Sequence, residues 1–277
     1  MKTGVILLAQ GFPSDENQLD QYLTNLLPEG VDGSSAKGEL ANALRKIGGE
    51  CPQGSIIQKQ CAALDEALPI KVYLGMRLWE PSIYTAVAQA KKDQVGRLIG
   101  ISITPQYAKG SVGACQELLK SVGKDMEIIP IWSWASHPLF INYWASQIKK
   151  GSTVLFTAPT MEKSKAGLYQ NELQETIRAI QKRVSIEAHL AFHSIVPIPE
   201  PHTGPDLWEV IKLLRKRENI VIAPIGFTSD DLELLFHLDR HFKKRTEKLG
   251  VKWTRLPVPN SNPIFTATLA RVVHSVL

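Results

Sequence analysis

Short apolar runs alternate with amphipathic stretches along almost all of the 277 residues. The runs have the length and the Val, Ile and Leu content of buried strands, and the amphipathic stretches between them have helical periodicity. Strands that alternate with helices pair in parallel and are covered by helices on both faces. The pattern therefore predicts an α/β fold with eight strands, at Gly4–Ala9, Lys71–Gly75, Leu98–Ile103, Glu127–Ile131, Thr153–Thr157, Ala188–Phe192, Ile220–Ile225 and Val251–Arg255.

Eight parallel strands can close one barrel or form two open sheets of four strands. The segment 150–152, Lys-Gly-Ser, interrupts the helical pattern halfway along the chain and favours two halves. We therefore predict two Rossmann-like domains, each with a four-stranded parallel sheet flanked by helices. Residues 1–149 form the predicted N-terminal lobe and residues 150–261 the C-terminal lobe, and a final helix over 262–277 is expected to pack back on the first lobe.

Composition excludes several classes of protein. With 44% hydrophobic and 21% charged residues, the chain can bury a full core. The longest apolar run, Val5–Ala9, is far shorter than the roughly 20 residues of a membrane-spanning helix, and the opening residues lack a signal-peptide pattern. Cys51, Cys61 and Cys115 are widely spaced, so neither a disulfide framework nor a zinc or iron–sulfur cluster is indicated. A cytoplasmic protein is expected.

The net charge of +5 suggests an anionic partner. Two short basic clusters, Arg215–Arg217 and Lys243–Arg245, lie in predicted helices, where a solvated face is the favoured interpretation. We therefore expect an acidic small molecule rather than a nucleic acid as the partner.

Ligands of open α/β sheets bind beyond the carboxyl ends of the strands. Five segments, most of them at such ends, occur in an order that resembles the ferrochelatase family, whose members insert Fe(II) into a porphyrin at the end of haem synthesis. The resemblance spans nearly the whole chain and implies two Rossmann-like lobes with a porphyrin cleft between them. The segments are IGGECP (Ile47–Pro52), YLGMRLWEP (Tyr73–Pro81), ITPQYAKGSVG (Ile103–Gly113), FHSIVPIPEPHTGPD (Phe192–Asp206) and APIGFTSDDLELL (Ala223–Leu235).

The resemblance makes Glu233 the active-site carboxylate, a base and a metal ligand, with Asp230 close by as a second catalytic candidate. Asp231 stands where the family has a histidine, and both aspartates can alternatively serve the first turn of a helix. The family's Phe-Ser-Ala-His signature is here Phe-Thr-Ala-Pro and ends at Pro159. Proline has no nitrogen that can bind a metal or accept a proton, so the family's histidine base and ligand is missing.

Three histidines can replace the lost imidazole. On the predicted helix, Glu233, His237 and His241 have i, i+4 and i+8 spacing, which puts them along one face about 6 Å apart. Histidines four apart on a helix are a common transition-metal site, although a solvated face would show the same spacing. His193, where the family usually has Gln, is a second candidate base, or a polar cap at a strand end.

The resemblance also implies porphyrin-binding residues. Arg77 would bind a propionate or form a structural ion pair, and Ser111 would bind a propionate or cap a helix. Phe227 would pack on the ring, and Gln10 lies where the family places a residue beneath the porphyrin face. The full set is Gln10, Met76, Arg77, Tyr107, Ser111 and Phe227.

Residues 27–47 are fewer than those of the lip that covers the pocket in the family, so a more open cleft that takes substrate from water is expected. The leading hypothesis is insertion of Fe(II), as substrate, into coproporphyrin III or protoporphyrin IX, with coproporphyrin III slightly favoured. No tightly bound cofactor and no iron–sulfur cluster are expected. The alternatives are a porphyrin- or haem-binding pseudoenzyme and, third, chelation of Co or Ni into another tetrapyrrole. The sequence carries no signal for the oligomeric state.

Overall fold

All eight predicted strands form in the computed structural model, which describes residues 1–195, 198 and 201–277. Each strand begins and ends within two residues of its predicted limits. The strands are β1 (Thr3–Ala9), β2 (Val72–Met76), β3 (Arg97–Ser102), β4 (Glu127–Ile131), β5 (Thr153–Pro159), β6 (Glu187–His193), β7 (Ile220–Ala223) and β8 (Trp253–Arg255).

The strands form two four-stranded sheets in which every pairing is parallel. The strand order is β2-β1-β3-β4 in the first sheet and β6-β5-β7-β8 in the second, so both sheets have the same topology. The predicted two-sheet α/β fold is confirmed, and the barrel alternative is not observed. In each sheet the chain changes direction beside the first strand, which puts the switch points at β1/β3 and β5/β7.

Helices cover both sheets. A one-turn 3₁₀ helix lies at Glu16–Gln18. The α-helices of the described residues are α1 (Leu19–Leu26), α2 (Ser34–Ile47), α3 (Gln53–Ala67), α4 (Ile83–Lys92), α5 (Ala114–Val122), α6 (Pro138–Ala145), α7 (Lys163–Ala166), α8 (Tyr169–Gln181), α9 (Leu207–Leu213), α10 (Lys243–Glu247) and α11 (Pro263–His274).

The helix that carries the candidate metal ligands differs from the prediction. The segment Glu233–Phe242 is a π-helix, and α10 continues from its end. A second π-helical segment, Lys109–Gly113, precedes α5. A π-helix closes i to i+5 hydrogen bonds and has wider turns than an α-helix, and such turns are frequent at functional sites. Side chains four residues apart therefore still lie close to one another along this segment.

One apolar cluster runs through both sheets and includes Leu7 of β1 and Phe156 of β5. Helix α11 starts after the cap residue Asn262 and packs against α3, α6 and β3. The division between residues 149 and 150 remains a prediction. Within the ranges that the structure describes, no helix has the combination of length and apolar character needed to cross a bilayer.

Candidate functional site

A cleft of about 360 Å³ lies between the two sheets, within the usual range for small-molecule sites. Its walls come from the carboxyl ends of the strands. They include Gln10 after β1, Thr104 after β3, Pro159 at the end of β5, Ser194 after β6 and Phe227 after β7. Both switch points thus open onto one cavity, which lies beyond the carboxyl ends of the strands, where the sequence predicts a ligand site.

Three potential metal ligands cluster beside this cleft: His193, Glu233 and His237 each contribute one ligand atom, and these atoms lie within 4.8 Å of one another. Glu233 lines the cavity itself, and the two histidines lie directly behind it. His193 is the last residue of β6 and is 1% exposed, while Glu233 and His237 lie four residues apart on the π-helix. The His193 Nδ1 atom lies 3.2 Å from His237 Nδ1 and 3.5 Å from Glu233 Oε2. Two of the three imidazoles proposed from the sequence are therefore brought together with the carboxylate.

Hydrogen bonds hold one oxygen of Glu233 and leave the other one open. Glu233 Oε1 accepts hydrogen bonds from the Ser194 hydroxyl (3.3 Å) and the Ile195 backbone N–H (3.1 Å). Glu233 Oε2 and His193 Nε2 are both buried and have no hydrogen-bond partner among the described residues. Because buried polar atoms are nearly always satisfied, two such atoms in one cluster indicate a position for an ion or a polar substrate atom.

Aromatic stacking fixes the imidazole of His193. Its ring is stacked on Phe227 (centroids 5.4 Å apart, 19° between planes) and on His237 (5.2 Å, 17°). Burial, and after it the neighbouring His193, lowers the pKa of His237 to about 4. The His237 imidazole is therefore neutral at physiological pH and has a free lone pair, as a metal ligand or a proton acceptor requires.

The distances fit a divalent transition metal. Two ligand atoms at about 2.1 Å from a tetrahedral ion lie about 3.4 Å from each other. The two distances from His193 Nδ1, 3.2 and 3.5 Å, bracket this value. Two imidazoles and one carboxylate also form a donor set that suits borderline metals such as Fe(II), Co(II) and Zn(II).

Pro159 lies directly beside this cluster. In the parallel pairing of β5 with β6, Pro159 is opposite His193. The imidazole of His193 is thus one strand away from the position at which the resemblance places the family histidine. Gly226 packs against the same strand end, where a Cβ atom would lie 2.7 Å from the Ala158 Cβ.

The remaining metal and catalytic candidates lie outside the three-residue cluster. His241 is exposed, with its ring centroid 5.6 Å from that of His237, and burial and Arg245 lower its pKa. The predicted role of Asp230 in the cleft is not supported, because its carboxylate pairs with Arg255 (3.1 Å) and accepts a hydrogen bond from Asn260 (2.7 Å). It does not line the cavity.

The porphyrin-binding candidates divide into two groups. Gln10, Ser111 and Phe227 line the cleft. The other three, Met76, Arg77 and Tyr107, do not.

Each of these three has a different surrounding. Met76 is 1% exposed and belongs to the core. Tyr107 packs edge-on against Trp132, with centroids 6.0 Å apart. Arg77 lines a separate depression and donates its Nε–H to Gln10 Oε1 (2.8 Å), so it fixes a cleft residue without reaching the cavity.

Tyr22 and Asp231 also line the cleft, although neither is among the residues predicted for it. Burial raises the pKa of Tyr22 to about 12, and burial together with Glu233 raises the pKa of Asp231 to about 8. Asp231 also accepts a hydrogen bond from the Leu234 N–H, as the alternative helix-start interpretation expected. The SDD run carried a signal for Asp231, whereas the sequence around Tyr22 carried none. Val196, Pro197, Pro199 and Glu200, within the Phe192–Asp206 motif, lie outside the described residues.

The family model and the curated relatives point to the same family. A family model described as ferrochelatase matches residues 2–277. The chain is 29% identical to the coproporphyrin III ferrochelatase of Geobacillus kaustophilus, over 98% of this chain and 94% of that protein. It is 28% identical to the ferrochelatase of Geotalea daltonii, over 99% and 98% of the two chains. Similar solved structures include SirB from Bacillus subtilis with Fe³⁺ (TM-score 0.62, 13% identity, 99% of this chain and 95% of that one) and CbiX (0.56, 12%, 100% of both). At this identity the two structures support the fold alone.

Proposed function

Because the chain belongs to the ferrochelatase family, we propose that it inserts Fe(II) into coproporphyrin III through a metal site made of His193, Glu233 and His237. The choice of porphyrin is supported by the names of its relatives, several of which are coproporphyrin III ferrochelatases at 28 or 29% identity over nearly their full length. Fe(II) is the substrate metal in this proposal.

The observation that carries the proposal is the three-residue cluster itself. Its ligand atoms lie within 4.8 Å of one another, and two of its buried polar atoms have no partner among the described residues. A substrate ion bound by His193 Nδ1 would satisfy Glu233 Oε2, while His193 Nε2, on the other side of the ring, remains for a second polar partner. Since the described residues supply three protein ligands, a further coordination position remains for the incoming porphyrin nitrogen.

Metal insertion also releases two pyrrole N–H protons, which need acceptors in the cleft. The low pKa of His237 keeps its imidazole neutral, and this imidazole contacts the His193 ring at 3.2 Å. Once the ion has moved to the porphyrin, the lone pairs that held it are free, so His193 and Glu233 can each accept one of the two protons. Pro159 has neither a donor nor an acceptor nitrogen and takes no part in this step.

The test is metallation of coproporphyrin III with Fe(II) or Zn(II) in the absence of oxygen. The shift of the Soret band measures the rate of the reaction. We expect Glu233→Gln and His193→Gln to lower kcat/KM on the order of a hundredfold or more, the usual contribution of a positioned acid–base group. His189→Gln is the matched control. His189 lies on the same strand as His193, but its imidazole contacts Glu187 and not the three-residue cluster. Full activity in both cluster variants would refute the proposed site.

A porphyrin-binding pseudoenzyme is the second candidate, and the observation that favours it is Pro159 in the wall of the cleft. This candidate predicts a Soret change on porphyrin binding but no metallated product. Pro159→His separates the two. A relocated site gains little from the added imidazole, whereas a protein that lost metallation with the histidine regains it.

A further inference from the structure

Two segments of the second lobe, residues 208–219 and 243–254, form what we call the basic face. It contains nine of the 32 Lys and Arg residues of the chain and three of its 27 Asp and Glu residues, which gives a net charge of +6. The rest of the chain carries a net charge of −1, so this face accounts for the whole positive charge of the protein. All nine basic residues are exposed: Lys212, Arg215, Lys216, Arg217, Lys243, Lys244, Arg245, Lys248 and Lys252.

Side-chain contacts join the two segments into one surface. The Arg245 guanidinium lies 3.9 Å above the Trp208 ring, and the Lys212 ammonium lies 5.1 Å from the same ring. Residues 215–220 and 250–254 form the two walls of a shallow groove. The nine charges therefore form a continuous face rather than two separate clusters.

These charges are available to a partner. Arg217 pairs with Glu187 at 2.9 Å. For the other eight, no carboxylate of the described residues lies within 4.0 Å. A cationic face on which most charges have no carboxylate partner attracts an extended anionic surface, and the attraction falls as ionic strength rises.

Two leucines project from the same face. Leu213, at the end of α9, is 82% exposed, and Leu249, after α10, is 49% exposed. Each has a lysine directly before it in sequence, Lys212 and Lys248. Aliphatic side chains gain nothing from contact with phosphates, but they gain free energy in the acyl region of a bilayer.

We propose that the basic face docks on the surface of an anionic lipid bilayer, with Leu213 and Leu249 inserted between the headgroups. Nucleic acid is the less suitable partner, because single-stranded binding relies on exposed aromatic rings for stacking. The Trp208 ring of this face is instead covered by Arg245 and Lys212.

Docking in this way leaves the cleft accessible to water. The basic face lies at the amino ends of β7 and β8, next to Ile220 and Trp253. The cleft lies beyond the carboxyl ends of the strands, at the opposite edge of the same sheet. The protein would thus be held at a membrane while its substrate enters from the aqueous side.

The test is co-sedimentation of the whole protein with vesicles of phosphatidylglycerol and phosphatidylcholine, compared with phosphatidylcholine alone. We expect binding only to the anionic vesicles, and less of it at high salt. Removing three charges in Lys243→Gln/Lys244→Gln/Lys248→Gln should weaken binding about a hundredfold, at about fivefold per basic residue near the surface. Leu213→Ser should weaken it on the order of tenfold.

Matched controls remove the same chemistry elsewhere. Lys124→Gln/Lys149→Gln/Lys150→Gln removes three exposed charges outside the basic face, and Leu168→Ser removes a leucine that is 58% exposed. Both should bind vesicles as wild type does, and all variants should keep wild-type metallation activity. Equal losses in test and control variants would overturn the proposal. So would binding to a short single-stranded RNA that is as tight as vesicle binding and unaffected by Leu213→Ser.

Discussion

The low pKa of His237 makes the stability of the protein depend on pH, and His237→Gln should reveal that dependence. In the folded protein the pKa is about 4, because burial and His193 disfavour the charged imidazole. In the unfolded chain it returns to the ordinary value of about 6.5. Above about pH 6.5 both states are neutral and the group has no effect. As pH falls from about 6.5 to about 4, only the unfolded chain takes up the proton, so the folded state loses stability.

The two pKa values give the size of the effect. Between about pH 7 and about pH 5, protonation of the unfolded chain should lower the free energy of unfolding by about 2 kcal/mol. The variant has no titratable group at position 237 and should lack this loss. Asp231 works in the opposite direction, because its raised pKa means that the folded state binds the extra proton, and this gain occurs in both proteins. The measured quantity is therefore the difference between wild type and variant at each pH.

Guanidinium chloride unfolding, followed by tryptophan fluorescence in the presence of a chelator, gives both free energies at each pH. The variant should gain about 2 kcal/mol relative to wild type on acidification from about pH 7 to about pH 5. Asp231→Asn is the control of opposite sign, since it should lose stability relative to wild type over the same interval. If wild type and His237→Gln keep the same stability difference at both pH values, His237 is not buried against a second imidazole as described.

Three further experiments test the packing of the folded protein. Gly226→Val should lower the free energy of unfolding by about 1–3 kcal/mol, because the added Cβ would overlap the end of β5. Gly38→Ala should raise it by about 0.5–1 kcal/mol, because Gly38 lies on α2 with open space around it. Thermal unfolding of both variants beside wild type measures the two effects. Arg255→Met should lower the free energy of unfolding by about 3 kcal/mol, because it removes the partner of Asp239. Both oxygens of Asp239 accept hydrogen bonds from Arg255 at 2.8 Å. Chemical unfolding measures the loss, with Asp239→Asn as the control. A thiol reagent at mildly alkaline pH should label no cysteine in the folded protein and all three after unfolding, because burial raises the thiol pKa of Cys51 and Cys115 to about 12 and of Cys61 to about 11.

The strand pattern was strong enough to predict the fold. Buried parallel strands such as β1 are short continuous apolar runs, and their length and their Val, Ile and Leu content separate them from the longer amphipathic helices. Helices α1 and α3 were not predicted. They lie in the long connection between β1 and β2, and a pattern with one helix between successive strands does not account for additional helices there. The π-helix was not predicted either, since an apolar pattern does not distinguish i to i+4 from i to i+5 hydrogen bonding.

The site was predicted only in part, for a related reason. Sequence can place His193 at a strand end and His237 on a helix, but their 3.2 Å contact depends on how that helix packs against β6. Asp230 shows the opposite case. It is adjacent to the cleft residue Asp231, yet Arg255, which comes from β8, pairs with its carboxylate away from the cavity. Contacts between residues on different elements of the fold are not encoded in local spacing.

The parallel pairing of β5 with β6 bears on the proposed metal site, which has no histidine at position 159. Neighbouring strands lie about 4.8 Å apart, so residues opposite each other at two strand ends are separated by only that distance. Pro159 and His193 are such a pair. Proline is tolerated there because the next N–H, from Thr160, still bonds the His193 carbonyl at 2.9 Å. An imidazole moved from β5 to β6 remains beside Glu233, and His237 on the π-helix supplies the second one. In the proposed site the imidazole stands on the neighbouring strand while the backbone of the cleft is kept, so a proline at 159 is compatible with a metal site at this strand end.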